Sequence, residues 1–169
     1  MDKIFQSALG DPSIKIVTRL NWGAVNPQYK ELIYAALDQT LQNHPKYFSS
    51  ISHAHPEGGF VVSCFPVGFD VEVTDRVTLQ LVARICEEKE LLEAPDWASL
   101  WCAKEATFKA LKNFKQPQIV SDLHIEFENK NEKPISIFHL ANANKFDAPQ
   151  GIGATYNSGG LTYCIFIAR

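Results

Sequence analysis

The apolar residues of this chain change their spacing between Leu79 and Leu111. From Leu79 to Leu92, and again from Asp96 to Leu111, they return every three or four positions, which predicts two helices. Asp96 is a residue type that favours the N-cap of the second helix. The segments on either side carry strand-like runs instead, so the fold has to combine β-structure with these helices.

Eight segments are predicted as strands from their alternation or their β-branched and aromatic content, and they are 13–20, 47–53, 60–65, 67–73, 119–127, 135–140, 152–156 and 161–168. A further helix is predicted over 28–43 and ends before Pro45. Glycine-containing turns are predicted at 56–59 and 157–160. Most strands therefore fall into two groups, one before and one after the helical stretch.

Two glycine-led segments resemble each other. Residues 58–65 read Gly-Gly-Phe-Val-Val-Ser-Cys-Phe, and residues 159–166 read Gly-Gly-Leu-Thr-Tyr-Cys-Ile-Phe. A duplication of one unit and two ordinary hairpins with glycine turns explain this likeness equally well.

Length and composition limit the class of protein. The 169 residues, 46% hydrophobic and 21% charged, fit one globular domain or two small halves with a shared core. A net charge of -3 and the lack of a long Lys/Arg run argue against nucleic acid as a partner. No apolar stretch approaches the ~20 residues of a membrane-spanning helix, and residues 1–6 do not resemble a signal peptide. We expect a soluble cytoplasmic protein without a membrane partner.

The four cysteines lack any C-x-x-C spacing, and they are Cys64, Cys86, Cys102 and Cys164. Three of them lie inside apolar segments. Free thiols in a reducing compartment fit this pattern better than disulfides or a zinc site.

Two acidic residues stand two positions apart in the predicted strand Val67-Gly68-Phe69-Asp70-Val71-Glu72. Because side chains alternate along a strand, Asp70 and Glu72 share one face while Phe69 and Val71 share the other. Two carboxylates on one wall suit a hard cation such as magnesium. An exposed strand face that is acidic without function would give the same pattern.

A second polar group lies in the helix from Asp96. Trp101, Glu105 and Lys109 are spaced four residues apart, so all three lie on one helical face. Taken alone, Glu105 and Lys109 also fit a surface ion pair worth a few tenths of a kcal/mol, with Trp101 at the edge of the core.

Together these segments resemble the phosphopantetheinyl transferases. Residues 67–72 match that family's (V/I)-G-(I/V/F)-D-(I/V)-E signature, and Trp101-Cys102-Ala103-Lys104-Glu105-Ala106-Thr107-Phe108-Lys109 matches W-x-x-K-E-A-x-x-K. Residues 47–53 resemble the F-N-x-S-H block, and residues 84–91 resemble the helix that ends in E-L. The four blocks stand in family order within residues 46–111.

The resemblance implies an enzyme that moves 4'-phosphopantetheine from coenzyme A to a serine of an apo acyl or peptidyl carrier protein and releases 3',5'-ADP. Asp70, Glu72 and Glu105 would bind Mg²⁺ at the pyrophosphate of coenzyme A. Either Glu105 or Glu72 would be the base for the serine hydroxyl. Lys109 would contact phosphate and assist the leaving group.

The remaining contacts implied by the resemblance are with coenzyme A. Ser52 and His53 would bind its phosphates, and Lys104 would be a second lysine at phosphate. Lys46 would reach the 3'-phosphate or the adenine. For His53 taken alone, a structural role is the alternative.

The family fold implied is α+β. The order of the blocks resembles the pseudo-dimeric, surfactin-synthetase-activating subgroup, which implies one domain over 1–169 with similar halves, 1–73 and 74–169, related by a pseudo-two-fold, and a monomer. The sequence departs from the family in lacking G-K-P before the S-H block, in Ser49 or Ser50 replacing Asn, and in Lys112-Asn113 replacing a glycine after the last motif.

A basic segment offers a partner surface. Between residues 102 and 116 the sequence contains one acidic residue, Glu105, and four lysines, which are Lys104, Lys109, Lys112 and Lys115. Such a basic patch would steer an acidic carrier protein. A solvated helix end is the alternative.

Two other functions remain open. A non-catalytic module of the same fold would bind coenzyme A or a carrier without reaction. A small magnesium-dependent phosphohydrolase would use the same acidic residues and release inorganic phosphate.

Overall fold

The structure is a computed structural model that describes residues 1–23, 26–128 and 134–169, and its architecture is α+β. Its strands are β1 (Lys15–Leu20), β2 (Phe48–His53), β3 (Glu57–Ser63), β4 (Val67–Val73), β5 (Ile125–Phe127), β6 (Ile135–Leu140), β7 (Ile152–Ser158) and β8 (Leu161–Ile167). Its α-helices are α1 (Asp2–Leu9), α2 (Tyr29–Gln42), α3 (Leu79–Val82), α4 (Glu88–Glu93) and α5 (Trp97–Ala110). The longest helices have 14 residues, and no helix within the described ranges is long and apolar enough to cross a membrane.

The strands form two antiparallel sheets whose connections repeat. The smaller sheet has the order β1-β3-β2, and the larger has the order β4-β8-β7-β6-β5. In the smaller unit β1 leads through α2 to the β2–β3 hairpin, and β3 pairs with β1. In the larger unit β4 leads through the helices and through β5 and β6 to the β7–β8 hairpin, and β8 pairs with β4. The similar segments 58–65 and 159–166 overlap β3 and β8, the last strand of each unit. The two halves thus share connectivity, and a spatial two-fold relation remains a prediction.

The two sheets meet where β2 runs beside β4. The Ser50 hydroxyl accepts a hydrogen bond from the Phe69 backbone N–H at 2.9 Å, and the Ser52 hydroxyl accepts one from Val71 N–H at 3.3 Å. The two serine hydroxyls of β2 accept the bonds from β4 that the backbone carbonyls of a neighbouring strand would accept in a sheet. β4 belongs to the larger sheet through its pairing with β8, and the division into halves 1–73 and 74–169 stays a prediction.

Helix α5 packs across one face of β4 and β8. Its close approach requires Gly68, because a Cβ there would overlap the Ala106 carbonyl. On the opposite face, α1 buries Phe5 against Phe69 and Val71. The alternation along β4 thus directs Asp70 and Glu72 toward α5, as the strand pattern predicted.

Several predicted elements have their predicted form. β4 and β6 have the predicted bounds. The Asp96 carboxylate caps α5 by accepting a bond from Ser99 N–H at 2.8 Å. Strong local patterns, alternation in the strands and an N-cap in the helix, decide these segments.

Other segments differ from the prediction. The single helix expected over 79–92 is two short helices, α3 and α4, because a capping box between Glu87 and Glu90 starts a new helix. Of the strand expected over 119–127, only Ile125–Phe127 pairs as a strand, after a 3-10 turn at Val120–Asp122. β3 begins at Glu57, so the hairpin turn lies earlier than expected.

Helix α1 was not predicted at all. It is short and amphipathic, and only Phe5 and Leu9 are buried. Its stability comes from packing on the larger sheet, which the local sequence does not reveal.

Candidate active site

Ser52, Asp70 and Lys109 form a compact polar cluster at the junction of the sheets. The Lys109 ammonium donates to Asp70 Oδ1 at 2.7 Å, to Ser52 Oγ at 3.2 Å and to the Phe69 carbonyl at 3.0 Å. The Ser52 hydroxyl in turn donates to Asp70 Oδ1 at 2.8 Å. The cluster joins β2, β4 and α5, so it exists only when both sheets and the helix are assembled.

The second oxygen of Asp70 has no partner. Asp70 Oδ2 is buried and forms no hydrogen bond with any of the described residues. A buried carboxylate oxygen without a donor is costly. Its position beside two further carboxylates is one where a bound cation would satisfy it.

Glu72 and Glu105 lie close enough to Asp70 for its charge to affect them. Burial, followed by the charge of Asp70, raises the pKa of Glu72 to about 7. The same causes in the same order raise the pKa of Glu105. Trp101 Nε1 donates to Glu72 Oε1 at 3.3 Å, which fixes that side chain between β4 and α5.

The surface ion pair between Glu105 and Lys109, the alternative to a functional role, is not the pair that Lys109 forms. Lys109 pairs with Asp70 instead, and the side chain of Asp70 is almost fully buried. The helical face of Trp101, Glu105 and Lys109 is thus turned toward the acidic face of β4. The structure brings together these three residues, the strand acids and Ser52.

His53 lies beside this cluster at the end of β2 and contacts Tyr29. The Tyr29 hydroxyl and His53 Nε2 are 3.0 Å apart, and the rings meet edge to face. Burial, then the charges of Lys109 and Lys30, lower the pKa of His53. The imidazole is therefore held neutral near pH 7. Sequence reasoning missed Tyr29, because no local pattern at the start of α2 relates it to His53.

Lys104 corrects one sequence-based prediction. Its side chain is fully buried, and its ammonium lies 2.8 Å from Glu90 Oε1 and 2.6 Å from the Leu123 carbonyl. It is a structural ion pair inside the core and is not available to phosphate. Lys46, another candidate for coenzyme A, is exposed, and its contact with coenzyme A stays a prediction.

The basic patch between residues 102 and 116 is smaller than expected, because two of its four lysines are paired with acidic residues. Lys104 is buried and Lys109 is paired with Asp70. Lys112 and Lys115 remain exposed, and the Lys112 ammonium donates to the Ser49 carbonyl at 2.9 Å.

The carboxylates of Asp70, Glu72 and Glu105 are the side chains near the cluster that could bind a metal ion. Within the described residues, no three His, Cys, Asp or Glu side chains are grouped tightly enough to hold one as they stand. The nearby donors are carboxylates, one with a buried unpartnered oxygen, and oxygen donors suit Mg²⁺ rather than a soft metal. The residues fit magnesium in chemistry, and Glu72 and Glu105 would have to turn toward Asp70.

A cleft of about 400 Å³ opens beside the cluster. It lies between α2 and the end of α5, with Tyr34 and Leu37 on one wall and Phe108 and Lys112 on the other. Lys109 lines the cleft and also contacts Asp70, so a ligand in the cleft would reach the Lys109 ammonium.

Comparison with known proteins places these features in context. The model of the 4'-phosphopantetheinyl transferase superfamily matches residues 66–160, which include Asp70, Glu72, Glu105 and Lys109. No curated protein matches the chain. Among solved structures, Helicobacter pylori holo-[acyl-carrier-protein] synthase in complex with coenzyme A is similar at 17% identity and a TM-score of 0.47, covering 61% of this chain and 99% of that one.

Proposed function

Since the chain belongs to the 4'-phosphopantetheinyl transferase superfamily, we propose that it transfers 4'-phosphopantetheine from coenzyme A to a serine of an apo acyl or peptidyl carrier protein. The observation that carries this proposal is the cluster of Ser52, Asp70 and Lys109 with Glu72 and Glu105 beside it. It combines oxygen donors for a metal with a cation for phosphate.

Asp70, Glu72 and Glu105 would hold Mg²⁺. When bound, the ion would neutralise charge on the pyrophosphate oxygens of coenzyme A. Asp70 is the best placed of the three, because one of its oxygens is buried without a donor.

The reaction forms one bond and breaks one. The serine oxygen of the carrier attacks the phosphorus next to the pantetheine, and the bond from that phosphorus to the bridging oxygen of 3',5'-ADP breaks. The serine proton passes to a carboxylate. Glu72 or Glu105 would accept it, because both carboxylates lie beside Asp70 at the junction of β4 and α5.

Lys109 and His53 would act on the phosphates. The Lys109 ammonium would bind the pyrophosphate and stabilise the negative charge of departing ADP. His53, oriented by Tyr29, would donate a hydrogen bond to a phosphate oxygen. Ser52 has its hydroxyl engaged on Asp70, Val71 and Lys109, so we assign it a positioning role.

We further propose that one chain holds a complete site in a reducing, cytoplasmic setting. The cluster takes residues from both sheets of a single chain, and the cysteines are free thiols.

A non-catalytic module that binds coenzyme A or a carrier is the second candidate. It is favoured by the Lys109–Asp70 pair, which occupies an oxygen that a metal would use.

Intact-mass analysis of apo carrier proteins separates these candidates. The protein is incubated with carrier, coenzyme A and Mg²⁺, alongside Asp70→Asn and the matched control Asp75→Asn, which alters an exposed residue just after β4. We expect one phosphopantetheine to be added by the wild type and by the control, with loss of at least a hundredfold in rate for Asp70→Asn. Coenzyme A binding without any mass gain on any carrier supports the module instead.

A further inference from the structure

Lys109 makes its shortest contact with the carboxylate that a metal ion would also seek, that of Asp70. We propose that the Lys109 ammonium competes with magnesium for Asp70, so that coenzyme A, by drawing Lys109 to its phosphates, makes the site bind magnesium more tightly. This inference rests on the proposed function and adds a coupling between its two ligands.

The competition follows from the contacts of Lys109. A lysine ammonium has three protons, and here they are directed at Asp70 Oδ1, Ser52 Oγ and the Phe69 carbonyl. Asp70 Oδ1 also accepts from Ser52, so both lone-pair directions of that oxygen are used. The charge of Asp70 is therefore balanced within the protein, and a dication would have to displace the ammonium or share the carboxylate with it.

The side chain of Lys109 is able to leave. It is 28% exposed, whereas that of Asp70 is only 4% exposed. Lys109 also lines the cleft between α2 and the end of α5. A phosphate there would offer it charged acceptors in place of one carboxylate and two neutral oxygens. Asp70 has no comparable freedom and stays behind as an uncompensated acid.

When the Lys109 ammonium leaves Asp70, the net charge around the three carboxylates becomes more negative. With Lys109 on Asp70, the group of Asp70, Glu72 and Glu105 contains an internal cation. With Lys109 on phosphate, the three carboxylates attract a cation together with the phosphates. Binding linkage requires the effect to be reciprocal, so magnesium must tighten coenzyme A by the same factor.

The test is calorimetric titration of the protein with MgCl₂ in the absence of any carrier, with and without saturating coenzyme A. For the wild type we expect coenzyme A to tighten magnesium binding by roughly tenfold or more, within the usual range of coupling. Lys109→Met, which keeps the length and removes the charge, should bind magnesium about tenfold more tightly than the wild type when coenzyme A is absent. Coenzyme A should then tighten magnesium binding by a smaller factor than in the wild type, because only the direct attraction between its phosphates and the ion remains.

Lys115→Met is the matched control, because it removes the same charge from an exposed lysine beyond α5. Its magnesium affinity should equal that of the wild type. Circular dichroism shows whether Lys109→Met is folded. If it is not, Lys109→Gln replaces it, and the same tightening of magnesium binding is expected. Equal or weaker magnesium binding by the folded Lys109 variants overturns the proposal.

The outcome is separable from the proposed function. Coupling in the wild type that is lost in Lys109→Met supports the competition even when no carrier is modified. Transfer of phosphopantetheine without coupling confirms the function and rejects the competition. If coenzyme A does not bind, the proposed function fails, and the titration without coenzyme A still decides whether Lys109 and magnesium compete.

Discussion

The Ser52 hydroxyl donates to Asp70 Oδ1 across the junction of the two sheets, with 2.8 Å between the oxygens. It also accepts from the Val71 N–H and from Lys109. One hydroxyl thus ties the edge of the smaller sheet to both a strand and a helix of the larger unit.

Ser52→Ala should lower the free energy of unfolding by about 1–3 kcal/mol, because buried polar groups on β4 lose their partner. Ser50→Ala, which removes only the bond from Phe69 N–H, is the matched control and should cost less. Urea unfolding measures both. The larger loss in Ser50→Ala would show that the Ser52 bonds do not stabilise the junction.

Removing one member of the buried pair Lys104–Glu90 should be severe. Lys104→Ala leaves the Glu90 carboxylate, only 6% exposed, without its cation, and we expect a loss of about 3–5 kcal/mol. Replacing both, as Lys104→Met with Glu90→Gln, leaves no charge behind and should cost less than Lys104→Ala. Thermal or urea unfolding of the wild type and the two variants decides, and a double variant that loses as much stability as Lys104→Ala would contradict the cost of an unpaired buried charge.

Local sequence patterns were sufficient for the centre of the site. Strand alternation placed Asp70 and Glu72 on one face, and helical spacing placed Glu105 and Lys109 on another. Which acid Lys109 would meet was not predictable, because Asp70 and Lys109 are joined by tertiary packing of α5 on β4 rather than by helix spacing.

Lys104 shows where the pattern was read wrongly. It follows the buried Leu100 by four residues, so it lies on the buried side of α5. That signal was present, but a lysine is rarely fully buried without a partner, and its partner Glu90 lies in a helix whose placement depends on the whole fold. The contact of Tyr29 with His53 was hidden for the same reason.

Gly68→Ala should displace α5. A Cβ at this position would overlap the backbone carbonyl of Ala106, and backbone cannot be moved aside as a side chain can. We expect at least about 3 kcal/mol of destabilisation and weaker magnesium binding, because Glu105 and Lys109 move with the helix.

Gly159→Asn is the control for this change. It alters a turn glycine with a left-handed backbone and open space around it, and Asn tolerates that conformation. The control should stay within about 1 kcal/mol of the wild type. Equal stability of Gly68→Ala and the wild type would mean that α5 does not rest on β4 as described.

One of the four thiols should react rapidly with a disulfide reagent. Cys64 is exposed. Burial raises the pKa of Cys86 to about 12 and raises those of Cys102 and Cys164 well above the ordinary value, so few thiolates form there. Reaction with the reagent under native conditions releases the reagent's own thiol, which is measured by absorbance. Cys64→Ser should abolish the fast phase of this release. A fast phase that persists in this variant would show that another cysteine is accessible.

His139 should make stability depend on pH. Burial opposes its charge, but hydrogen bonds to Glu128 and to the Gly151 carbonyl outweigh this and raise the pKa of His139. Its stabilising contribution is full below the unfolded pKa of about 6.5 and is lost as pH rises through the higher folded pKa. The difference in unfolding free energy between the wild type and His139→Gln should therefore shrink as pH increases. A difference that grows with pH would contradict the raised pKa.

The pairing of β4 with β8 sets the order in which the protein can be completed during synthesis. Asp70 lies opposite Cys164 in that pairing, and α5 packs on both strands. A nascent chain that has passed Lys109 already contains every predicted catalytic residue, yet it lacks β8, the strand that pairs with β4. Such non-local pairing is slow to form. A translation product that stops before β8 would thus contain all the predicted catalytic residues but would lack the strand pairing that arranges them.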